Sequence, residues 1–201
     1  MLKDYLRLVS NSILIIGPAK SGKTSMLRRL KTGEFLDQIK PTYGFSSNMI
    51  NNTPFIEIGG QESYKTFWQQ AIDKNPVLII FIIDVSSQQD LKVYKKFRKD
   101  LGKLGNFLLV ANKIDLIDEN SHPIVYELKK LEPEILLCSF KTGENFWRLS
   151  EYIAEFCNKS LVKSQPLGKA IADDKSDSVY ITEKEDRKRA HQLLEDFNGK
   201  F

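Results

Sequence analysis

The sequence predicts an α/β fold: a mostly parallel sheet with one antiparallel edge strand, helices on both faces, and a C-terminal helical extension. Three observations predict it. Apolar runs of strand length alternate with helical patterns, as in a parallel sheet wrapped by helices. Two of those runs, Val77 to Val85 and Phe107 to Ala111, are apolar throughout, the mark of strands buried on both faces. One pair of runs is separated only by Asn51-Asn52, a hairpin turn.

Taken in order, Ser12 to Ile16 is a short β-rich run ending at Gly17, and Lys23 to Lys31 is the first helix. Phe45 to Ile58 folds back at Asn51-Asn52, with Phe55 to Ile58 closed by Gly59-Gly60. Tyr64 to Asp73 reads as helix, Val77 to Val85 as strand, Gln88 to Leu104 as helix, Phe107 to Ala111 as strand. Ile135 to Cys138 is a further strand and Phe146 to Lys159 a further helix. His122, before Pro123 in a polar loop, and His191 have no metal-ligand company and read as surface residues. Residues 1–159 therefore form the domain. Residues 160–180, with Pro166, Gly168 and Asp173-Asp174-Lys175, read as a polar linker. Over 181–201, Thr182 and Glu185 fit a capping box, and Ala190, Leu193, Leu194 and Phe197 share one helical stripe.

Composition narrows the function classes. Hydrophobic residues are 41% and charged residues 28% of the 201, enough for a full core and unlike a disordered, collagen-like or disulfide-framed chain. Thirty basic against 26 acidic residues leave +4, too mild to imply nucleic acid. The longest apolar run, Val77 to Ile83, has seven residues, against about 20 for a membrane-spanning helix. No secretory leader is read at the start, and Cys138 and Cys157 read as buried thiols, so a cytoplasmic location is expected. Leu2, Tyr5, Leu6 and Val9 make a short apolar stripe, expected to pack on the domain or to give weak peripheral membrane contact. Leu2 stands where myristoylation needs glycine, and Asn198-Gly199-Lys200-Phe201 is no prenylation motif.

The chemistry begins at Gly17-Pro18-Ala19-Lys20-Ser21-Gly22-Lys23-Thr24, which matches G-x-x-x-x-G-K-[ST] between a strand and a helix. Its glycines let the chain curl so that amides at Gly17, Ala19, Lys20, Ser21 and Gly22, with Ser25 just beyond, surround a phosphate chain. Lys23 offsets the β- and γ-phosphate charge, Thr24 ligates Mg²⁺, and the helix start adds its positive end. The bland alternative is a glycine-rich turn. Asn112-Lys113-Ile114-Asp115 follows a buried strand, and an aspartate there accepts from both N1–H and the exocyclic amine of guanine. Alone, the segment suits a helix N-cap equally well. Gly60 offers an amide to a γ-phosphate, Gln61 orients a hydrolytic water, and Thr42 reaches the metal when a γ-phosphate is present.

As a set, Gly17 to Thr24, Leu30-Lys31-Thr32-Gly33-Glu34, Pro41-Thr42-Tyr43-Gly44-Phe45, Gly59-Gly60-Gln61 with Trp68, and Asn112-Lys113-Ile114-Asp115 resemble a small GTPase of the Ras superfamily, most of all its Arf branch. The resemblance covers about residues 12–159 and implies a P-loop GTPase domain, GTP/GDP and Mg²⁺ as ligands, slow hydrolysis and two nucleotide-sensitive loops. It also implies an exchange factor, a GTPase-activating protein and effectors as partners. Ser139-Phe140-Lys141 falls where the family has its S-A-K loop beside the base, with Phe140 in place of a small residue whose amide faces the guanine oxygen. Glu57 replaces an aspartate that supports Mg²⁺. Ile56 and Ala71 stand at positions that are aromatic on the family's effector surface, so an altered partner surface is expected; Phe45 and Trp68 read as effector contacts or as half-buried packing. The leading function is a slow GTP-hydrolysing switch using Lys23, Thr42 and Gln61, with Mg²⁺ held by Thr24, Thr42 and Glu57. The alternatives are a GTP-binding scaffold that hardly turns over and, more remotely, an ATPase.

Overall fold

The computed structural model describes residues 9–101, 106–118 and 120–163. Six strands form one sheet: β1 (Ile13–Ile16), β2 (Phe45–Ile50), β3 (Thr53–Ile58), β4 (Leu78–Asp84), β5 (Phe107–Asn112) and β6 (Leu136–Leu137). Their spatial order is β2-β3-β1-β4-β5-β6, parallel throughout except for the antiparallel pair β2/β3. The helices are α1 (Lys23–Thr32), α2 (Lys65–Ile72), α3 (Gln88–Leu101), α4 (Pro123–Leu131) and α5 (Phe146–Lys163).

The hairpin turns where two asparagines stand because both adopt left-handed φ, 48° at Asn51 and 58° at Asn52, which matches the strand twist. It pairs Ile50 with Thr53 and Phe45 with Ile58. The central strands need no polar face. Leu14, Ile16, Ile79, Phe81, Ile83 and Leu109 face Trp68, Ala71, Leu91, Tyr94, Phe97, Ile124, Val125 and Leu128 in one core cluster fed by α2, α3 and α4. Ile13, Ile15, Ile80, Ile82, Leu108 and Val110, which alternate with them, are buried as well. Met26 and Leu27 of α1 lie outside that cluster, and α1 runs beside β2. The N-terminal stripe is represented by Val9, which is buried in the core; Leu2, Tyr5 and Leu6 lie outside the described residues.

The chain divides into two compact units after Phe146. In the second, α5 buries Leu149 and Ile153 and stacks Tyr152 on Phe156 at 6.5 Å. It runs to Lys163, so it takes in the first residues of the stretch read as linker; the rest of the linker, the tail helix and His191 lie outside the described residues.

Two sequence expectations need correction. His122 ends the polar loop but is not a surface residue, and a helix follows it: Pro123 opens α4 at the first helical position, where its missing N–H costs nothing. Ile124, Val125 and Leu128 bury one face of that helix, and His122 is half-buried as its N-cap. Cys138 is buried, with its thiol pushed far above the usual range by burial, but Cys157 is only half-buried.

β1 is the pivot of the sheet. It pairs with β3 on one side and β4 on the other, and the crevice above the carboxyl ends of strands at such a reversal is where open α/β sheets bind ligands.

Candidate functional site

Above that pivot lies a cleft of about 470 Å³. Its first wall is the loop from Gly17 to Gly22. Gly17 has φ +141°, and a Cβ there would fall 2.1 Å from the Ile82 carbonyl oxygen, so only glycine lets the loop leave β1 beside β4. Gly22 has φ +107°, and a Cβ would lie 2.3 Å from Asn112 Nδ2. The helix α1 that follows points N–H groups without helical acceptors at the cleft. Lys23 is 5% exposed and donates to Gly17 O at 3.0 Å and Pro18 O at 2.6 Å. Burial lowers its pKa to about 8, against the charges of Glu57 and Asp90, which raise it. An amine so desolvated gains most when an anion arrives.

Beside the lysine, three oxygen-bearing side chains converge. Thr24 Oγ1 donates to Glu57 Oε1 at 2.7 Å and lies 3.0 Å from Thr42 Oγ1. Glu57 is 1% exposed, and its Oε2 is buried with no hydrogen-bond partner. Burial holds this carboxyl above the usual carboxylate range, opposed by the Thr24 hydrogen bond and the Lys23 charge. One carboxylate and two hydroxyls, with a carboxylate oxygen left over, fit a hard cation that completes its shell with water and phosphate oxygens, as Mg²⁺ does. The loop after β3 rests on the phosphate loop. A Cβ on Gly60 would fall 2.3 Å from Ala19 N and Pro18 C, and Ala19 N–H donates to Gly60 O at 3.1 Å. Gly60 thus engages the loop through its carbonyl, not its amide, in this conformation.

The far end of the cleft is built by β5, β6 and the loops after them. Asn112, 3% exposed, ties three segments together: its Nδ2 donates to Ser21 O at 2.8 Å and its Oδ1 accepts from Phe140 N at 3.0 Å. Lys113 has φ 69° and donates to Asp84 Oδ2 at 2.6 Å, which lays its stem along the cleft wall. Ser139 Oγ donates to Asp115 Oδ1 at 2.5 Å, and Asp115 is exposed to the cleft. A carboxylate at one end and a cationic, amide-rich loop at the other suit a ligand with a donor-bearing base and a phosphate chain.

A model of the ADP-ribosylation factor family matches residues 3–156. The chain belongs to the Arf family. It is 32% identical over 114 residues to ADP-ribosylation factor-like protein 9 of Homo sapiens, covering 53% of this chain and 60% of that one. To an ADP-ribosylation factor of Encephalitozoon cuniculi it is 35% identical over 120 residues, covering 54% and 56%. To ADP-ribosylation factor 3 of Arabidopsis thaliana it is 32% identical over 132 residues, covering 60% and 71%. The aligned part thus spans under two thirds of the first two relatives.

Of the residues singled out in this Arf-family sequence, Ala19, Lys20, Gly22, Lys23, Thr24, Ser25, Thr42, Glu57, Gly60, Gln61, Asn112, Lys113, Asp115, Phe140 and Lys141 all line the one cleft. Gly17, Ser21 and Ser139 act from behind it, through the Lys23, Asn112 and Asp115 contacts above. Sequence reading missed Phe35, Leu36, Asp37, Ile39 and Lys40, which also line it from the loop between α1 and β2. That loop has no periodicity to betray it. The Phe140 ring, an obstacle on paper, is 1% exposed and stands edge-on to Phe146 at 5.7 Å, in space left open by Gly22.

Ile56 and Ala71, where an altered partner surface is expected, offer no exposed aromatic. Both are completely buried in the core, so neither presents anything to a partner. Trp68 is likewise interior at 2% exposure, edge-on to Phe81 and Phe97 at 5.6 and 5.9 Å, while Phe45 is partly buried against Phe67. Tyr43, 70% exposed, is the large aromatic that does face solvent next to Thr42. Among the described residues, no helix is long and apolar enough to cross a membrane.

Proposed function

We propose that this Arf-family chain is a GTP-binding molecular switch that hydrolyses GTP slowly to GDP with Mg²⁺, and whose loops around Thr42 and Gln61 control partner binding in membrane traffic. The observation that carries the reading is the convergence in one cleft of a buried lysine, three clustered side-chain oxygens from Thr24, Thr42 and Glu57, and the exposed carboxylate of Asp115 at the far end. Lys23 and the α1 N–H groups hold the phosphates. Thr24, Thr42 and Glu57 hold the cation, which when bound neutralises charge developing on the phosphate oxygens. Asp115, braced by Ser139, takes the guanine edge, and Gln61 at the rim orients the attacking water. An exchange factor, an activating protein and effectors are the partners such a switch requires. Its place is the cytoplasm, with at most peripheral membrane contact.

The test is single-turnover hydrolysis of preloaded GTP beside Gln61→Leu. Loss of water positioning is expected to slow phosphate release by about 10²-fold while GTP affinity is kept. Equal rates in the two proteins would remove Gln61 from the mechanism. One observation favours a second reading, a GTP-binding scaffold with little hydrolysis. Glu57, a methylene longer than aspartate, already reaches Thr24 directly at 2.7 Å. No phosphate release from wild type over hours, with GTP still bound, would favour it.

Lys23 supplies a further expectation. With its pKa lowered to about 8 by burial from 10.5, the unfolded chain holds the extra proton between those values. This group's contribution to the stability of the ligand-free fold therefore rises with pH across that window. A phosphate ligand restores the proton. Calorimetry of GDP binding at pH 8.5, in buffers of different ionisation enthalpy, is expected to show net proton uptake that is lost at pH 6.5, where Lys23 is already charged and the nucleotide's own terminal phosphate instead releases protons. Proton release at pH 8.5 would contradict the assignment of Lys23 to the phosphates.

A further inference from the structure

Arg29 sits a turn and a half along α1 from Lys23, on a helix whose start faces the phosphates, yet it reaches the base end of the cleft. Its Nη1 donates to Phe140 O at 2.7 Å and to Lys141 O at 3.1 Å. Its guanidinium lies 5.5 Å over the Phe146 ring. The loop makes room for it: at Gly143, φ +89°, a Cβ would fall 2.5 Å from Arg29 Nη2. Phe140 is therefore gripped on both sides, its N–H by Asn112 Oδ1 and its carbonyl by Arg29. The same loop supplies Ser139 Oγ, which donates to Asp115 Oδ1, and Ser139 Oγ in turn accepts from Thr142 N–H at 3.1 Å.

We propose that Arg29 is a positioning residue for base specificity: by clamping the 139–141 loop to the phosphate-loop helix, it holds Ser139, and through it Asp115, in register with the base. The proposal rests on the guanine reading above. Both bonds come from the one Nη1 nitrogen while the planar guanidinium lies over the Phe146 ring, an arrangement that a lysine ammonium reproduces only in part. The clamp also makes one body of the two ends of the cleft, so that loosening it affects the base end while leaving Lys23 and the cation oxygens as they are.

The test compares wild type, Arg29→Met, which keeps the apolar stem, and Arg29→Lys. Dissociation of a fluorescent GDP is measured, together with the ratio of GDP to IDP affinity. IDP lacks the exocyclic amine that Asp115 accepts, so the ratio reads the Asp115 contact alone. Arg29→Met is expected to release GDP about 10- to 100-fold faster and to lose most of the GDP preference over IDP, with Arg29→Lys intermediate. Faster release of both nucleotides by one common factor would mean general loosening and would overturn the specificity role. Unchanged release and ratio in Arg29→Met would overturn the proposal while leaving guanine binding intact. Wild type with no preference for GDP over IDP or ADP would overturn the guanine reading, and this proposal with it. Should Arg29→Met fail to fold, Arg29→Gln, which can donate to one of the two carbonyls, carries the same comparison.

Discussion

Asp115→Asn is expected to turn a guanine site into a xanthine site. On the proposed guanine reading, the aspartate accepts from N1–H and from the 2-amine of the base. An asparagine keeps one acceptor and presents one donor, which meets the 2-amine head-on but matches the 2-oxo group of xanthine. Ser139, whose Oγ lies 2.5 Å from Asp115 Oδ1, tolerates the exchange because a hydroxyl turns from donor to acceptor without moving. Sites that hydrogen-bond a substrate group reject an analogue lacking it by roughly 10⁴–10⁵ when the mismatch is buried. Asp115 is exposed in the ligand-free cleft, so a smaller loss of GTP affinity, about 10³-fold, is expected, with XTP gaining by a comparable factor. Competition of GTP, XTP and ATP for a fluorescent nucleotide measures it. An unaltered preference for GTP would place the base elsewhere, and a wild-type preference for ATP would return the chain to the ATPase alternative.

Gly17→Ala is expected to be the most destabilising single methyl in the described core of the cleft. The new Cβ would stand 2.1 Å from the Ile82 carbonyl oxygen, and backbone on both sides of that contact cannot swing away as a side-chain tip can. The residue also holds φ +141°, where an L side chain is strained. Overpacking and strain together put the loss at about 3–5 kcal/mol. At about 2–4 °C per kcal/mol for a chain of this size, Tm falls by about 6–20 °C. Gly33→Ala is the control. It has φ +73° at the end of α1 but nothing within 4 Å of its Cβ, so it carries only the left-handed cost of about 1–2 kcal/mol. Chemical denaturation of both variants separates the two terms. Equal losses would mean that β4 yields to the methyl and that Gly17 is needed for its φ alone.

These contrasts show where sequence reading succeeds. Strands such as Leu78–Asp84 were legible because continuous apolar runs bounded by turn residues admit few other readings. The hairpin was legible because Asn51-Asn52 suits two successive left-handed residues. Helix α4 was lost to its own cap: Pro123 reads as a breaker unless it is recognised at the first helical position, and Glu127, Lys129 and Lys130 mask the apolar face of Ile124, Val125 and Leu128. That Ile56 and Ala71 are core residues was not legible, because no local pattern says which face of a strand or helix a position occupies once the neighbouring elements pack.

By itself the sequence determined the fold class and the Arf-family resemblance of this chain. Motif residues such as Gly17, Lys23, Thr24, Asn112 and Asp115 are recognisable because phosphate and base contacts demand fixed residue types at fixed spacing along a strand, its turn and the helix after it. Only the tertiary structure decided how those segments share a cleft. Thr24 meets Glu57 across 33 positions, Asn112 meets Ser21 across 91, and Arg29 meets Phe140 across 111. Such contacts depend on strand order and on α1 running back past the base loop, and no periodicity along the chain encodes a separation that the sheet alone closes.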